Sequence, residues 1–133
     1  MSGYTRNSVY DYIRNAVVAE HPTVFCTSRK VAKPSYFPSC YIHEVERERL
    51  LQYTQLDFQD VQWESAFEVQ IVSNKTTTAS TEAYDIMKTV QAAFNELYYR
   101  EFSETNIDGG DNFTVIGRFR RVIGGGDSMP TTT

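Results

Sequence analysis

Only two histidines and two cysteines occur among the 133 residues, which leaves little material for metal centres or thiol chemistry. His21 and His43 have no carboxylate or thiol at metal-ligand spacing, so no metal or cofactor is expected. Cys26 and Cys40 have no second thiol close in sequence. They read as small buried thiols, and pairing would require adjacent strands to carry them. Basic residues are short as well: 13 Lys+Arg stand against 17 Asp+Glu, a net charge of −4. That balance is wrong for a dedicated DNA or RNA binder, which needs a basic field to neutralise phosphates. No apolar run approaches the roughly 20 residues of a membrane span, and Met1-Ser2-Gly3-Tyr4-Thr5-Arg6 lacks a signal-peptide apolar core. The expectation is a soluble, cytosolic chain with no membrane contact. Its length suffices to bury about two-thirds of the unfolded surface, so the fold needs no disulfide or metal.

Aromatic residues are abundant by contrast, with nine Tyr, eight Phe and one Trp. Part of this set must build the core, and Tyr also favours protein interfaces, where it brings large area at low rotamer cost. Val9, Ile13, Ala16 and Val17 share one helical face, with Thr5 or a Ser8–Asp11 capping box at its start and His21-Pro22 at its end. Thr23 to Cys26 reads as a short strand, and Cys40 to Val45 as another that continues in alternating charges to Arg49. Val61, Trp63, Ser65, Phe67, Val69 and Ile71 alternate with Gln62, Glu64, Ala66, Glu68 and Gln70, the period-2 mark of a long half-buried strand. Ala83, Ile86, Met87, Val90, Ala93, Phe94 and Leu97 predict a second helix, capped by Ser80 or Thr81. Tyr98 to Phe102 reads as a strand, Asp108-Gly109-Gly110-Asp111 as a turn, and Phe113 to Ile123 as a last strand. Residues 124–133 hold three glycines and a Pro-Thr-Thr-Thr end, with nothing to bury, and are expected to be a flexible tail. The order is not a βαβ alternation. It predicts a single α+β domain over 1–123: an antiparallel sheet of about four to five strands, two helices packed on one face, and a projecting β-hairpin arm.

Catalytic patterns are sparse. No serine lies in a G-x-S-x-G context, and Gly124-Gly125-Gly126 precedes neither a helix nor a Lys-Ser/Thr pair. One set resembles the acid-x-Lys hairpin of restriction-type nucleases: Asp60, Glu68-Val69-Gln70 and Lys75. Two carboxylates there would hold Mg²⁺ for phosphodiester cleavage, but Gln70 stands where that pattern has lysine. A solvated strand face accounts for Glu64, Glu68 and Gln70 equally well. A metal-dependent nuclease and a small dimeric ligand-binding module are therefore the alternatives to a structural role.

Charge is unevenly placed. Residues 1–33 carry Arg6, Arg14, Arg29, Lys30 and Lys33 against Asp11 and Glu20, whereas 44–60 carry five acids against Arg47 and Arg49. Arg118, Arg120 and Arg121 crowd the last strand. Such complementary patches suit head-to-tail contact between copies, or, for Arg118 and Arg120, cross-strand pairing with Glu64 and Glu68. Tyr53, Leu56 and Phe58 in the 47–60 arm either cap this sheet or anchor a neighbour. The contact candidates are thus Arg47, Arg49, Tyr53, Leu56, Phe58, Arg118, Arg120 and Arg121.

Phe67 to Lys75, Glu82 to Lys88, Phe94-Asn95, the Phe37-Pro38 lead-in to Cys40–Val45, and Gly117 to Ile123 together resemble the tail terminator proteins of long-tailed bacteriophages. These are also known as tail completion or minor capsid proteins, and the similarity spans about residues 8–123. The resemblance implies an α+β subunit of a homo-hexameric ring in the tail-neck region of the virion, assembled in the host cytoplasm. Such a ring sits on the last tail-tube subunits, ends their polymerisation, and offers a surface to the head-tail connector or stopper protein. It implies no enzyme activity, and genomic DNA would pass through the lumen without specific binding. The family offers no invariant active residues to carry over, and the long stretch between Val45 and Val61 departs from its pattern.

Overall fold

In the computed structural model, residues 3–29, 36–50, 62–75, 77–124 and 127–130 are described. Helix α1 (Arg6–Glu20) starts at Thr5 rather than Ser8: the Thr5 hydroxyl accepts from the Ser8 amide while Ser8 Oγ accepts from the Thr5 amide. The capping box therefore lies one turn earlier than Ser8–Asp11 would put it, and Asp11 takes no part in it. Val9, Ile13 and Val17, on the stripe that periodicity marks, are all buried. Helix α2 (Ala79–Glu96) is preceded by Thr78, which makes no side-chain cap bond, so neither Ser80 nor Thr81 caps it.

The far end of α2 is closed by a Schellman motif. The Tyr99 amide donates to Phe94 O and the Tyr98 amide to Asn95 O, with Tyr98 in the left-handed region at φ 64°. Glycine normally fills that position because it lacks a Cβ. Here the hydrophobic contact that accompanies the motif is aromatic, the Tyr99 and Phe94 rings meeting edge-on at 5.2 Å.

Five strands form one sheet: β1 (Phe25–Thr27), β2 (Ser39–Arg49), β3 (Gln62–Ser73), β4 (Arg100–Asp108) and β5 (Phe113–Gly124), in the order β1-β2-β3-β5-β4. The fold is α+β as expected, with one addition. β1 lies parallel to β2, so the sheet is mixed rather than wholly antiparallel. That pairing sets Cys26 beside Cys40, and both remain free thiols. β4 runs to Asp108, well past Phe102, because β5 supplies its ladder through Ile107↔Thr114 and Asp108↔Phe113. The turn between them has Gly110 at φ 84°, its amide bonded to Asp108 Oδ1.

Both helices pack on one sheet face, α1 against β2 and α2 against β3 and β5. Phe67, Val69, Ile71, Val115, Phe119 and Ile123 meet them there, all essentially inaccessible. Phe94 stacks on Phe119 at 4.3 Å and tilts against Phe67 at 5.7 Å. Each such aromatic pair adds about 0.5–1.5 kcal/mol beyond its buried area. α2 comes so close to β5 that a Cβ on Gly117 would lie 3.0 Å from Met87 Sδ.

The charged run Glu44 to Arg49 belongs to the sheet. Glu46↔Ala66, Arg47↔Ser65, Glu48↔Glu64 and Arg49↔Trp63 are paired after a bulge between Glu44 and Glu46. Arg47 to Arg49, expected in the arm, are thus part of the sheet, and Tyr53, Leu56 and Phe58 lie outside the described residues. Past Gly124 the chain still finds partners. Asp127 O accepts from the Gly3 amide, Asp127 Oδ2 accepts from the Gly124 amide and Arg121, and Met129 packs against the core.

Candidate interaction surface

Period 2 turns every second residue of β3, β4 and β5 away from the helices, and no other element among the described residues covers that outer face. Its polar groups are paired across strands. Glu68 stands opposite Arg118, whose Nε lies 2.9 Å from Glu68 Oε2; Gln70 bonds the other carboxylate oxygen at 3.3 Å. Arg120 reaches diagonally to Glu64 at 3.3 Å while its guanidinium covers the Phe102 ring at 4.4 Å. Arg118 and Arg120 thus make the cross-strand pairs that the sequence allowed. Exposed pairs of this kind contribute about 0–1 kcal/mol each, leaving both arginines accessible to a partner.

The face is divided by charge. Toward the β2–β3 hairpin, Glu48 faces Glu64 in register, and the Glu46 carboxyl beside Glu48 raises its pKa. Toward the opposite edge, Arg100 faces Arg120. Between and beyond these charges lie exposed apolar side chains: Phe102 (47%), Ile107 (54%) and Val122 (45%). Phe102 ends the strand expected from Tyr98, whereas Ile107 was hidden from sequence reading because β4 is polar beyond Phe102 and its further length comes from β5 pairing.

The remaining arginine candidates sit differently. Arg47 lies on the helix side, with its Nε 3.0 Å from Glu44 Oε1 and its NH2 group 2.8 Å from Tyr4 O. Arg49 ends β2 opposite Trp63. Arg121, one residue out of phase with Arg118 and Arg120, turns inward. It donates to Leu97 O at 2.6 Å and Asp127 Oδ2 at 2.8 Å, with its guanidinium 4.1 Å over the Tyr4 ring.

The described members of the nuclease-like set are not brought together. Glu68 is held by Arg118, whereas Lys75 pairs with Glu82 at 2.9 Å; Asp60 lies outside the described residues. Burial works to raise the Glu82 pKa, but hydrogen bonds from Ser73 and Lys75 outweigh it and hold that carboxyl below its ordinary value. Lys75 therefore fastens the end of β3 to the first turn of α2. Among the described residues, no three His, Cys, Asp or Glu side chains are grouped to hold a metal ion.

No protein-family profile and no curated sequence matches the chain. Among solved structures, it is similar to a chain described as "Virion of native gene transfer agent (GTA) particle", with a TM-score of 0.43 and 11% identity over 87% of this chain and 91% of that one.

Proposed function

We propose that this chain is a structural protein of a tailed virion, without enzyme activity, whose copies form a six-membered ring on the end of the tail tube. The ring stops tube polymerisation and presents the joining surface for the head-tail connector or stopper protein, in the neck of the particle. The observation that carries this reading is the uncovered outer sheet face, where Phe102, Ile107 and Val122 are exposed among divided charges. A two-layer domain that leaves apolar strand residues open on its bare face gains most by burying them against neighbours. The α+β order agrees with what the tail-terminator resemblance implies, and the net charge of −4 suits a lumen that lets DNA pass without holding it.

Native mass spectrometry over a concentration series, with negative-stain imaging, tests the proposal. A six-membered ring, in solution or formed on purified tail tubes, supports it. A dimer at every concentration overturns it, as does a monomer that leaves tube ends uncapped.

A further inference from the structure

In the parallel ladder of β1 and β2, Cys26 and Cys40 stand directly in register, between the pairs Phe25↔Ser39 and Thr27↔Tyr41. They are the chain's two cysteines, and both are free thiols. Neighbouring strands lie about 4.7–4.9 Å apart, inside the roughly 4.4–6.8 Å that separates the Cα atoms of a disulfide. Both side chains turn to the helix-covered face. Cys40 is wholly buried in the core, and Cys26 packs against that core while half-buried.

The two thiols are not equivalent. The hydrogen bond from Cys40 chiefly holds the Cys26 pKa below its ordinary 9.0; partial burial opposes this and Arg14 of α1 assists it. The same bond, together with burial, pushes the Cys40 thiol well above that value. Thiolates are the reactive form, so the more accessible Cys26 is the nucleophile and the buried Cys40 its resolving partner. We propose that Cys26 and Cys40 are a peroxide-responsive pair that closes into a disulfide between β1 and β2. The Cys26 thiolate attacks one oxygen of hydrogen peroxide, the O–O bond breaks, and the departing hydroxide leaves as water with the proton Cys26 gave up. The Cys40 sulfur then attacks the sulfur of the Cys26 sulfenic acid, whose S–O bond breaks to release a second water with the Cys40 proton. Two thiols thereby lose two electrons, and one peroxide becomes two waters. β1 is the outermost strand on its side of the sheet and only three residues long, so the bridge fixes the sheet's shortest strand covalently. The chemistry needs a single copy of the chain and holds whether or not copies form a ring.

The test exposes the reduced, folded full chain to hydrogen peroxide and maps its tryptic peptides by mass spectrometry without reduction. The expected product is one chain with both thiols lost, the Cys26 and Cys40 peptides joined, and full reversal by dithiothreitol. Its thermal midpoint should rise by up to about 10 °C, as closing a loop of about 15 residues gives a domain of this size. Cys40→Ala should stop at the Cys26 sulfenic acid, trapped as its dimedone adduct. In Cys26→Ala, Cys40 should oxidise at least tenfold more slowly than Cys26 does in wild type. Far-UV circular dichroism monitors folding of both variants, and the wild-type linkage is read without any substitution. Thiols that survive peroxide, linkage only between chains, or sulfinic acid without linkage would each overturn the pairing. Oxidation of Cys40 in Cys26→Ala at the wild-type Cys26 rate would overturn the assigned roles.

Discussion

Replacing Ser65 with alanine removes one oxygen from the middle of a buried relay. Tyr99, 3% exposed, donates its hydroxyl to Ser65 Oγ at 2.9 Å, and Ser65 Oγ donates to Glu44 Oε2 at 2.7 Å. Arg47 then neutralises Glu44, whose side chain is 6% exposed, and ties the relay to Tyr4 O. In Ser65→Ala the Tyr99 hydroxyl loses its acceptor and the carboxylate loses a donor. At about 1–3 kcal/mol for each buried polar group left unmatched, the loss is about 2–6 kcal/mol. Tyr99→Phe leaves Ser65 on Glu44 and costs about 1 kcal/mol. The double variant has no orphaned hydroxyl, so it should cost at least about 1 kcal/mol less than the two single losses added. Urea unfolding followed by Trp63 fluorescence measures all three. For a domain of this size, about 3 kcal/mol lowers the thermal midpoint by about 10 °C. Strict additivity, or a Ser65→Ala loss under about 0.5 kcal/mol, would refute the view that the relay is a coupled buried network.

Three further outcomes follow from the same geometry. Tyr98→Gly should stabilise the fold by about 1 kcal/mol in urea titrations, because a left-handed residue with a Cβ costs about 1–2 kcal/mol and the side chain is mostly exposed; a loss of stability would show that Tyr98 contacts outweigh its strain. Asp127→Ala frees one side of the half-buried Arg121 and the Gly124 amide, and should cost about 1–2 kcal/mol, discounted for the carboxylate's exposure; an unchanged urea midpoint would contradict that. Burial chiefly pushes the Tyr99 pKa up to about 12, against an ordinary 10.0, so the folded state keeps a proton that the unfolded chain releases. Stability from this group is therefore complete below pH 10 and declines as pH rises from 10 to 12. Tyr12, raised to about 12 chiefly by its hydrogen bond to Glu96, acts in the same direction from a partly buried position. Tyr99→Phe should flatten the alkaline decline, and an unchanged slope would refute the assignment.

The sequence by itself determined what depends on one-sided burial. Val9, Ile13 and Val17 repeat at helical spacing, and Ser65 to Ile71 alternate, because each element must present one face to a core whatever it packs against. The same alternation already separates Arg118 and Arg120 from Arg121. Tertiary structure decided everything that needs a partner distant in sequence. Three residues of β1 carry no information on direction, and their parallel pairing with β2 comes from how the chain returns. The strand expected over Tyr98 to Phe102 runs on through polar residues because β5 completes its backbone hydrogen bonding out to Asp108. Glu44 reads as one more charge in a solvated run until the bulge after it, Arg47 and Ser65 make its burial possible. Local periodicity encodes which face is apolar; the identity of the neighbour is settled by long-range pairing, whose energy appears only when the whole sheet has formed.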